Sequence, residues 1–304
     1  MNITPTITIA IPSYNKEPYI RRCLESALNN QNDDVEIILV DNASQDATYK
    51  IAQSYTPTVT CHQNSTNLGM ASNWNKCIEH ASGDWILILH ADDELAPNVI
   101  PLYRTLIMKN PNLGIIHANS FAVVNGDPAT KTTTPTAHKE HWRAGEEALR
   151  APIGLCSTIM VKKEAYERLG GFIETSLSAD AEMWPRVAAE YDLAFINEPT
   201  ATYHYNKDST GAQSLIERRF EDIVADWDNL TEKIAQSQPT EELRLRYLAK
   251  AKYDALGNYW AIVAANLKTR KYKNATRAIW IISVHYHKFF PLLQLIIKKL
   301  WSKR

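Results

Sequence analysis

The residues best placed to do chemistry close a short apolar run: Gly83-Asp84-Trp85-Ile86-Leu87-Ile88-Leu89 leads into His90-Ala91-Asp92-Asp93-Glu94. The run is too brief for a membrane span and opens on a Gly-Asp turn, so it reads as a buried strand delivering carboxylates to its carboxyl end. Open α/β sheets bind their ligands at that end. Adjacent side chains on an extended chain point to opposite faces, so Asp92 and Asp93 need separate roles, one toward a ligand and one toward the loop.

The elements that must position these acids follow from the pattern of the chain. Thr6 to Ile11 is a β-branched run ended by Pro12-Ser13-Tyr14-Asn15, a strand and its loop, and Glu17 to Leu28 reads as a helix. Glu36 to Val40 is a second strand running into Asp41-Asn42-Ala43-Ser44-Gln45-Asp46, with Ser44 a natural N-cap for a helix reaching Ser54. Thr58 to His62 is a third strand and Met70 to Ala81 a third helix; the stretch from Gly83 to Glu94 is the fourth strand. Four alternations of strand and helix predict a parallel sheet wrapped by helices.

Beyond Pro97, Asn98 to Lys109 has helical spacing and Gly114 to Val124 returns to strand; Asn125 to His141 is a long polar loop. Leu155 to Val161 reads as a strand, Lys163 to Leu169 as a short helix ended by Gly170-Gly171, and Ala179 to Glu190 as a helix with Pro185 near its first turn. Ala194 to Tyr205 is extended. From about Gln213 the strand signals vanish and amphipathic helical patterns continue through Trp301.

Composition narrows the function. Lys+Arg 33 against Asp+Glu 34 gives a net charge of −1, so no bulk positive field exists to hold nucleic acid. Cys23, Cys61, Cys77 and Cys156 have neither CxxC spacing nor the density of a disulfide scaffold, which suits reduced thiols of a cytoplasmic protein. The first ten residues run straight into a strand pattern with no signal-peptide organisation. Two apolar runs near the end, Ile279 to Ile282 and Phe289 to Ile297, are interrupted by His285, His287 and Lys288 and flanked by lysines. Neither reaches the ~20 residues a spanning helix needs. They suit a helix packed on the main domain or on a second subunit, or an interfacial helix at the inner face of the plasma membrane.

Five ordered segments carry a resemblance. Ile9-Ala10-Ile11-Pro12-Ser13-Tyr14-Asn15, Leu39-Val40-Asp41-Asn42-Ala43-Ser44-Gln45-Asp46-Ala47-Thr48, Asn67-Leu68-Gly69 before the stretch from Gly83 to Glu94, Leu169-Gly170-Gly171-Phe172 with Asp180 beyond, and Tyr203-His204-Tyr205 together resemble the family 2 glycosyltransferases of the GT-A fold. The resemblance covers roughly Thr6 to Ser214. It implies an α/β fold of GT-A type: a mostly parallel nucleotide-binding sheet flanked by helices, with a helical C-terminal extension. The domains would be a catalytic domain over 1–212, in which residues 1–96 bind the nucleotide sugar and residues 97–212 the acceptor, then a helical region over 213–304.

The resemblance also implies roles. A nucleotide-diphosphate sugar, UDP-linked, would bind across Pro12, Tyr14, Asn15, Glu17, Asp41, Asn67, Gly69, Asn73, Ala91 and Asp93. Asp41 would accept a hydrogen bond from base or ribose, which suits an ionised acceptor-only carboxylate, and Tyr14 would stack on the base. Asp92 matches the last acid of the DxD motif, which binds Mn²⁺ or Mg²⁺ through oxygen. His90 replaces the first acid of that motif; with His204 it is a further candidate metal ligand. Asp180 would be the general base that activates an acceptor hydroxyl for in-line displacement with inversion. Trp184, one turn on, suits core packing or an acceptor sugar.

The expected reaction is therefore metal-dependent, inverting sugar transfer to a glycan or lipid-linked acceptor in cell-surface polysaccharide synthesis. Peripheral membrane contact or homo-oligomerisation would run through the C-terminal helices. A hydride-transfer enzyme is disfavoured because no GxGxxG follows the first strand. The alternative kept open is a non-catalytic glycan-binding or scaffold subunit, on account of His90.

Overall fold

A computed structural model describes residues 4–124, 130–132, 141–144, 156–176, 179–205 and 220–236, together with scattered positions between 240 and 248 and residues 276 and 279. Strands β1 (Ile7–Ser13), β2 (Val35–Asp41), β3 (Thr60–Gln63) and β4 (Trp85–Ile88) alternate with helices α1 (Ile20–Leu28), α2 (Thr48–Gln53) and α3 (Met70–His80). Then come β5 (Glu94–Leu95), α4 (Ile100–Lys109), β6 (Leu113–Val124), β7 (Thr130–Thr132) and β8 (His141–Trp142). A 3₁₀ turn at Cys156–Thr158 precedes β9 (Ile159–Lys162), α5 (Lys163–Leu169), α6 (Ala179–Glu190), β10 (Asp192–Tyr205) and α7 (Phe220–Gln236).

The ten strands form one sheet with the path β3-β2-β1-β4-β9-β6-β10-β5, β7 pairing β6 and β8 pairing β10. The ladders among β3, β2, β1 and β4 are all parallel. Beyond them the sheet is mixed: β9 runs antiparallel to both β4 and β6, while β6 and β10 are parallel. Strand alternation sends Ile7, Ile9 and Ile11 into one core layer with α1, while Ala10 joins the opposite layer with α3, α5 and α6. Burial on both faces explains why β1 and β2 read as near-continuous apolar runs.

Local differences from expectation have physical causes. The first helix begins at Ile20 rather than Glu17, because Pro18 disfavours a helical residue before it and Lys16 to Tyr19 form a turn. Ser44 is not a helix cap. Its hydroxyl donates to Asp41, and α2 begins only at Thr48, whose N–H and hydroxyl both donate to Asp46 Oδ1. The strand expected over Leu155 to Val161 gives way to the 3₁₀ turn before β9 starts at Ile159. Pro185 lies inside α6, in its second turn, where the missing N–H leaves one carbonyl of the helix without its usual donor.

Positions 125–129 and 133–140, which hold most of the expected polar loop, and positions 206–219 lie outside the described residues. So do the C-terminal apolar runs apart from Ile279. Among the described residues no helix is long and apolar enough to cross a membrane.

Candidate active site

Parallel pairing sets Ser13 opposite Asp41, and β4 lies on the other side of β1. The carboxyl ends of β2, β1 and β4 are therefore neighbours, and the loops after them share one edge. Here the sheet brings together Tyr14 to Glu17, Asp41 to Asp46 and His90 to Asp93.

The first two loops are stitched by hydrogen bonds between them. Asn15 N–H donates to Ser44 Oγ (2.9 Å), Gln45 N–H to Asn15 Oδ1 (2.8 Å), Lys16 N–H to Thr48 Oγ1 (2.7 Å) and Ala47 N–H to Glu17 Oε2 (3.0 Å). The side chains of Asn15 and Glu17 thus hold the loop pair together. Asp41 is fully buried: Oδ1 accepts from Ser44 Oγ (2.5 Å) and Ser13 Oγ (3.3 Å), and Oδ2 from Ser44 N–H (2.9 Å) and Gln63 Nε2 (3.1 Å). Those four contacts occupy about the whole acceptor capacity of a carboxylate. Pro12 is buried in β1, whereas Tyr14 is 40% exposed and presents a free aromatic ring on the loop.

A second device closes this edge. Asn42 Nδ2 donates to Asn67 Oδ1 (2.8 Å) and Gly69 C=O (3.2 Å), while its Oδ1 accepts from Asn64 Nδ2 and Leu68 N–H. Asn64 also donates to Asn73 Oδ1, and Asn73 Nδ2 to Val40 C=O. Gly69 has φ +89°, a left-handed value that favours glycine where the loop turns into α3. Asn67, Gly69 and Asn73 therefore shape the loop over the end of β2. Asn42 and Asn64 complete this amide network without having been singled out from sequence, where Asn in a turn is too common a signal.

At the end of β4 the two aspartates diverge. Asp92 turns to Lys16, whose Nζ donates to Oδ2 at 2.5 Å, and Arg22 donates to the Asp92 carbonyl (3.0 Å). Burial raises the Asp92 pKa, but the Lys16 ammonium and the hydrogen bond from it outweigh that, and the carboxyl lies below its ordinary value. Asp93 turns inward with no exposed surface and accepts from Ser157 Oγ (2.6 Å) and His204 N–H (3.1 Å). Burial, with the Asp92 charge adding, carries Asp93 to about 7 despite those bonds. Of its two expected uses, holding the loop is the one the contacts display. Ser157 also accepts from His90 N–H (3.1 Å), tying the 3₁₀ turn to the strand end.

His90 stacks on Trp74, ring centroids 5.3 Å apart, and Nε2 is buried without a partner among the described residues. Burial lowers its pKa, and the nearby Lys16 adds to the effect against the pull of Asp92, so the imidazole is neutral. His204 Nε2 lies 2.7 Å from Glu94 Oε1, and Glu94 ion-pairs with Arg22. That ring nitrogen is committed to Glu94 instead of Asp92. Ala91 is buried between the two chemically active neighbours.

Asp180 opens α6, near the Cys156 turn. Burial raises its pKa, countered by the Ala181 N–H that donates to Oδ1 at 2.9 Å. Burial also pushes the Cys156 thiol up, and Asp180 and Asp93 both add to it, so both acids lie near that turn. Glu182 points elsewhere: it is buried and forms a two-point ion pair with Arg186, Nε–Oε1 2.8 Å and Nη2–Oε2 2.9 Å. Arg186 also donates to the carbonyls of Leu169, Gly170 and Gly171. Asn75 bonds both the N–H and C=O of Phe172, and a Cβ on Gly171 would fall 2.3 Å from Asn75 Oδ1. These clamps fix the loop that leads to Asp180. Trp184 is fully buried with its ring edge-on to Phe172, as core packing requires.

Fold and site together define an α/β protein whose acids gather at the carboxyl edge of a parallel sheet. The described fold is that of GT-A glycosyltransferases: it aligns with S. aureus TarS residues 1–349 in complex with UDP-GlcNAc at TM-score 0.67, 17% identity, covering 81% of this chain and 71% of that one. It also aligns with the mannosyltransferase PcManGT from Pyrobaculum calidifontis in complex with GDP-Man and Mn²⁺, at TM-score 0.51, 18% identity, 100% and 89% coverage. Residues 8–170 match the family described as Glycosyl transferase family 2, and the chain belongs to that family. An uncharacterized glycosyltransferase of Haemophilus influenzae is 31% identical over 208 residues, 67% of each chain. A putative Bacillus subtilis glycosyltransferase, EpsH, is 38% identical over 99 residues, 31% of this chain and 28% of its own length.

Among the described residues no group of three or more His, Cys, Asp and Glu converges as a metal cluster. The donor set still fits a hard divalent ion bound jointly with a diphosphate. Such ions commonly take one or two protein carboxylates and complete their shell with phosphate oxygens and water. Asp92 would supply the carboxylate, and the orphaned Nε2 of His90 would be a nitrogen donor better matched to Mn²⁺ than to Mg²⁺.

Proposed function

We propose that this family 2 enzyme transfers a sugar, with inversion, from a UDP-linked donor to a glycan or lipid-linked acceptor in cell-surface polysaccharide synthesis. The observation that carries the reading is the turn at Cys156–Thr158, where Ser157 holds Asp93, the chain neighbour of Asp92, and Cys156 lies near enough to Asp180 to feel its charge. The domain bounds of 1–212 and 213–304 belong to the same proposal, as does residence at the inner face of the plasma membrane.

In this reading the base lies against Tyr14, and Asp41 reaches base or ribose when Ser44 or Gln63 exchanges its hydrogen bond for one from the nucleotide. Asn15, Glu17, Asn67, Gly69 and Asn73 act by holding the two loops in the shape that receives the donor. Asp92 and His90 are the residues that would hold Mn²⁺ or Mg²⁺. When bound, that ion supplies Lewis-acid stabilisation of the charge developing on the leaving group. Asp180 takes the proton of the acceptor hydroxyl as its oxygen bonds the anomeric carbon and the bond from that carbon to the diphosphate oxygen breaks, releasing UDP. Its raised pKa makes it a better base than an exposed aspartate. UDP-GlcNAc in TarS and GDP-Man with Mn²⁺ in PcManGT support a nucleotide-sugar donor and a metal.

Release of nucleotide from a panel of nucleotide sugars with Mn²⁺ tests the reading. Asp92→Ala should abolish turnover, and Asp180→Asn should abolish transfer while keeping donor affinity. Full turnover of either variant, or full wild-type turnover in excess chelator, would overturn the corresponding role.

A further inference from the structure

Lys16 occupies the position at Asp92 that the proposed cation needs. Its Nζ lies 2.5 Å from Asp92 Oδ2, and the two side chains are only 18% and 15% exposed. The backbone beneath it is pinned: Lys16 N–H donates to Thr48 Oγ1, and its carbonyl accepts from the N–H groups of Tyr19 and Ile20. Only the four-carbon stem is free to move, past the Tyr19 ring 5.9 Å from the ammonium. Arg22, the other cation at this corner, is engaged with Glu94 and the Asp92 carbonyl. Among the described side chains it is therefore Lys16 that balances the Asp92 carboxylate.

A dication on Asp92 would sit against that ammonium, and the two repel strongly in a site shielded from water. A diphosphate reverses the balance, since its oxygens can accept from the ammonium and coordinate the ion together. We propose that Lys16 is a tethered counter-ion: it keeps Asp92 from holding a divalent cation alone and yields it when a nucleotide diphosphate arrives, so that cation and donor bind as a unit. This rests on the cation-assisted reading of the site given above. The consequence is a specificity device, because free cytoplasmic divalent ions would not load the enzyme unproductively.

The test is equilibrium binding of Mn²⁺ alone to the full chain, followed by the electron paramagnetic resonance of the free ion. Lys16→Met should bind Mn²⁺ about tenfold or more tightly than wild type, the scale on which a close like charge shifts binding at a carboxylate. Lys16→Met/Asp92→Asn should lose that gain. If wild type binds Mn²⁺ through Asp92 and Lys16→Met binds it no more tightly, the counter-ion role is overturned while the cation reading stands. If neither protein binds Mn²⁺ even with UDP or GDP present, the cation reading itself fails. A second measurement needs no variant: reductive methylation of wild type, mapped by mass spectrometry, should show Lys16 labelling change several-fold on saturation with Mg²⁺ and UDP together and stay at its starting level with Mg²⁺ alone. Unchanged labelling with both present would overturn the displacement of Lys16.

Discussion

Replacing Arg186 by Met keeps the length and the apolar stem of the side chain and deletes its guanidinium. Two losses follow. Glu182, whose side chain is 2% exposed, is left as a buried carboxylate without its two-point partner. The carbonyls of Leu169, Gly170 and Gly171 lose the donor that draws them onto α6. Removing one member of a buried pair costs about 3–5 kcal/mol, because the remaining charge keeps its desolvation penalty. Glu182→Gln added to Arg186→Met removes that charge and should restore about half of the loss or more. The loop to Asp180 stays unclamped in the double variant, so its transfer rate should remain low while its stability recovers. Urea unfolding of wild type, both singles and the double gives the coupling energy, and turnover of the same four proteins gives the functional split. An Arg186→Met protein destabilised by less than about 1 kcal/mol would refute the buried-pair argument, since that is the scale of exposed pairs. A double variant with wild-type turnover would refute the clamp.

Gly171→Ala places a methyl 2.3 Å from Asn75 Oδ1 and should cost about 1–3 kcal/mol in urea unfolding; Asn75→Gly in the same chain should relieve the clash, and an unaffected single variant would dismiss it. His117 is buried in β6 with its pKa lowered by burial to about 3 against 6.5 for the free side chain, so the folded state binds fewer protons and stability is lost as pH falls from 6.5 toward 3. Between pH 7.5 and 5.0 wild type should lose about 2 kcal/mol more than His117→Leu, and parallel losses would show that the imidazole is not desolvated. Tyr14→Ala should leave unfolding within about 0.5 kcal/mol of wild type, because the ring is exposed, yet weaken nucleotide binding about two- to tenfold by loss of stacking. Calorimetric titration with the nucleotide that the donor screen selects reads this directly, and equal affinity would remove Tyr14 from the base pocket.

The sheet and its helices were legible where burial imposes a period. β1, β2 and α3 fall within about two residues of their expected bounds, because apolar spacing is a local signal. Misreadings came where a polar side chain had two local uses. Ser44 has the residue type of a helix cap, but Asp41 beside it and Asn15 across the loop claim its hydroxyl and amide. Cys156-Ser157-Thr158 reads as strand by composition, yet it turns so that Ser157 can meet both His90 and Asp93.

From the residues alone came the family and the α/β order; the strand expected to carry Asp92 and Asp93 ends at Ile88, and a turn in which Asp93 N–H donates to the His90 carbonyl is what separates the two side chains. Only the tertiary structure decided which went where. Asp93 is drawn inward by Ser157 and the His204 N–H, contacts 64 and 111 residues away in the chain, and Asp92 is met by Lys16, 76 residues before it. The Asn42 amide network, the Arg186 clamp and the commitment of His204 to Glu94 have the same origin. Each depends on which loops the sheet order makes neighbours, and pairing between distant strands leaves no periodic mark on the sequence.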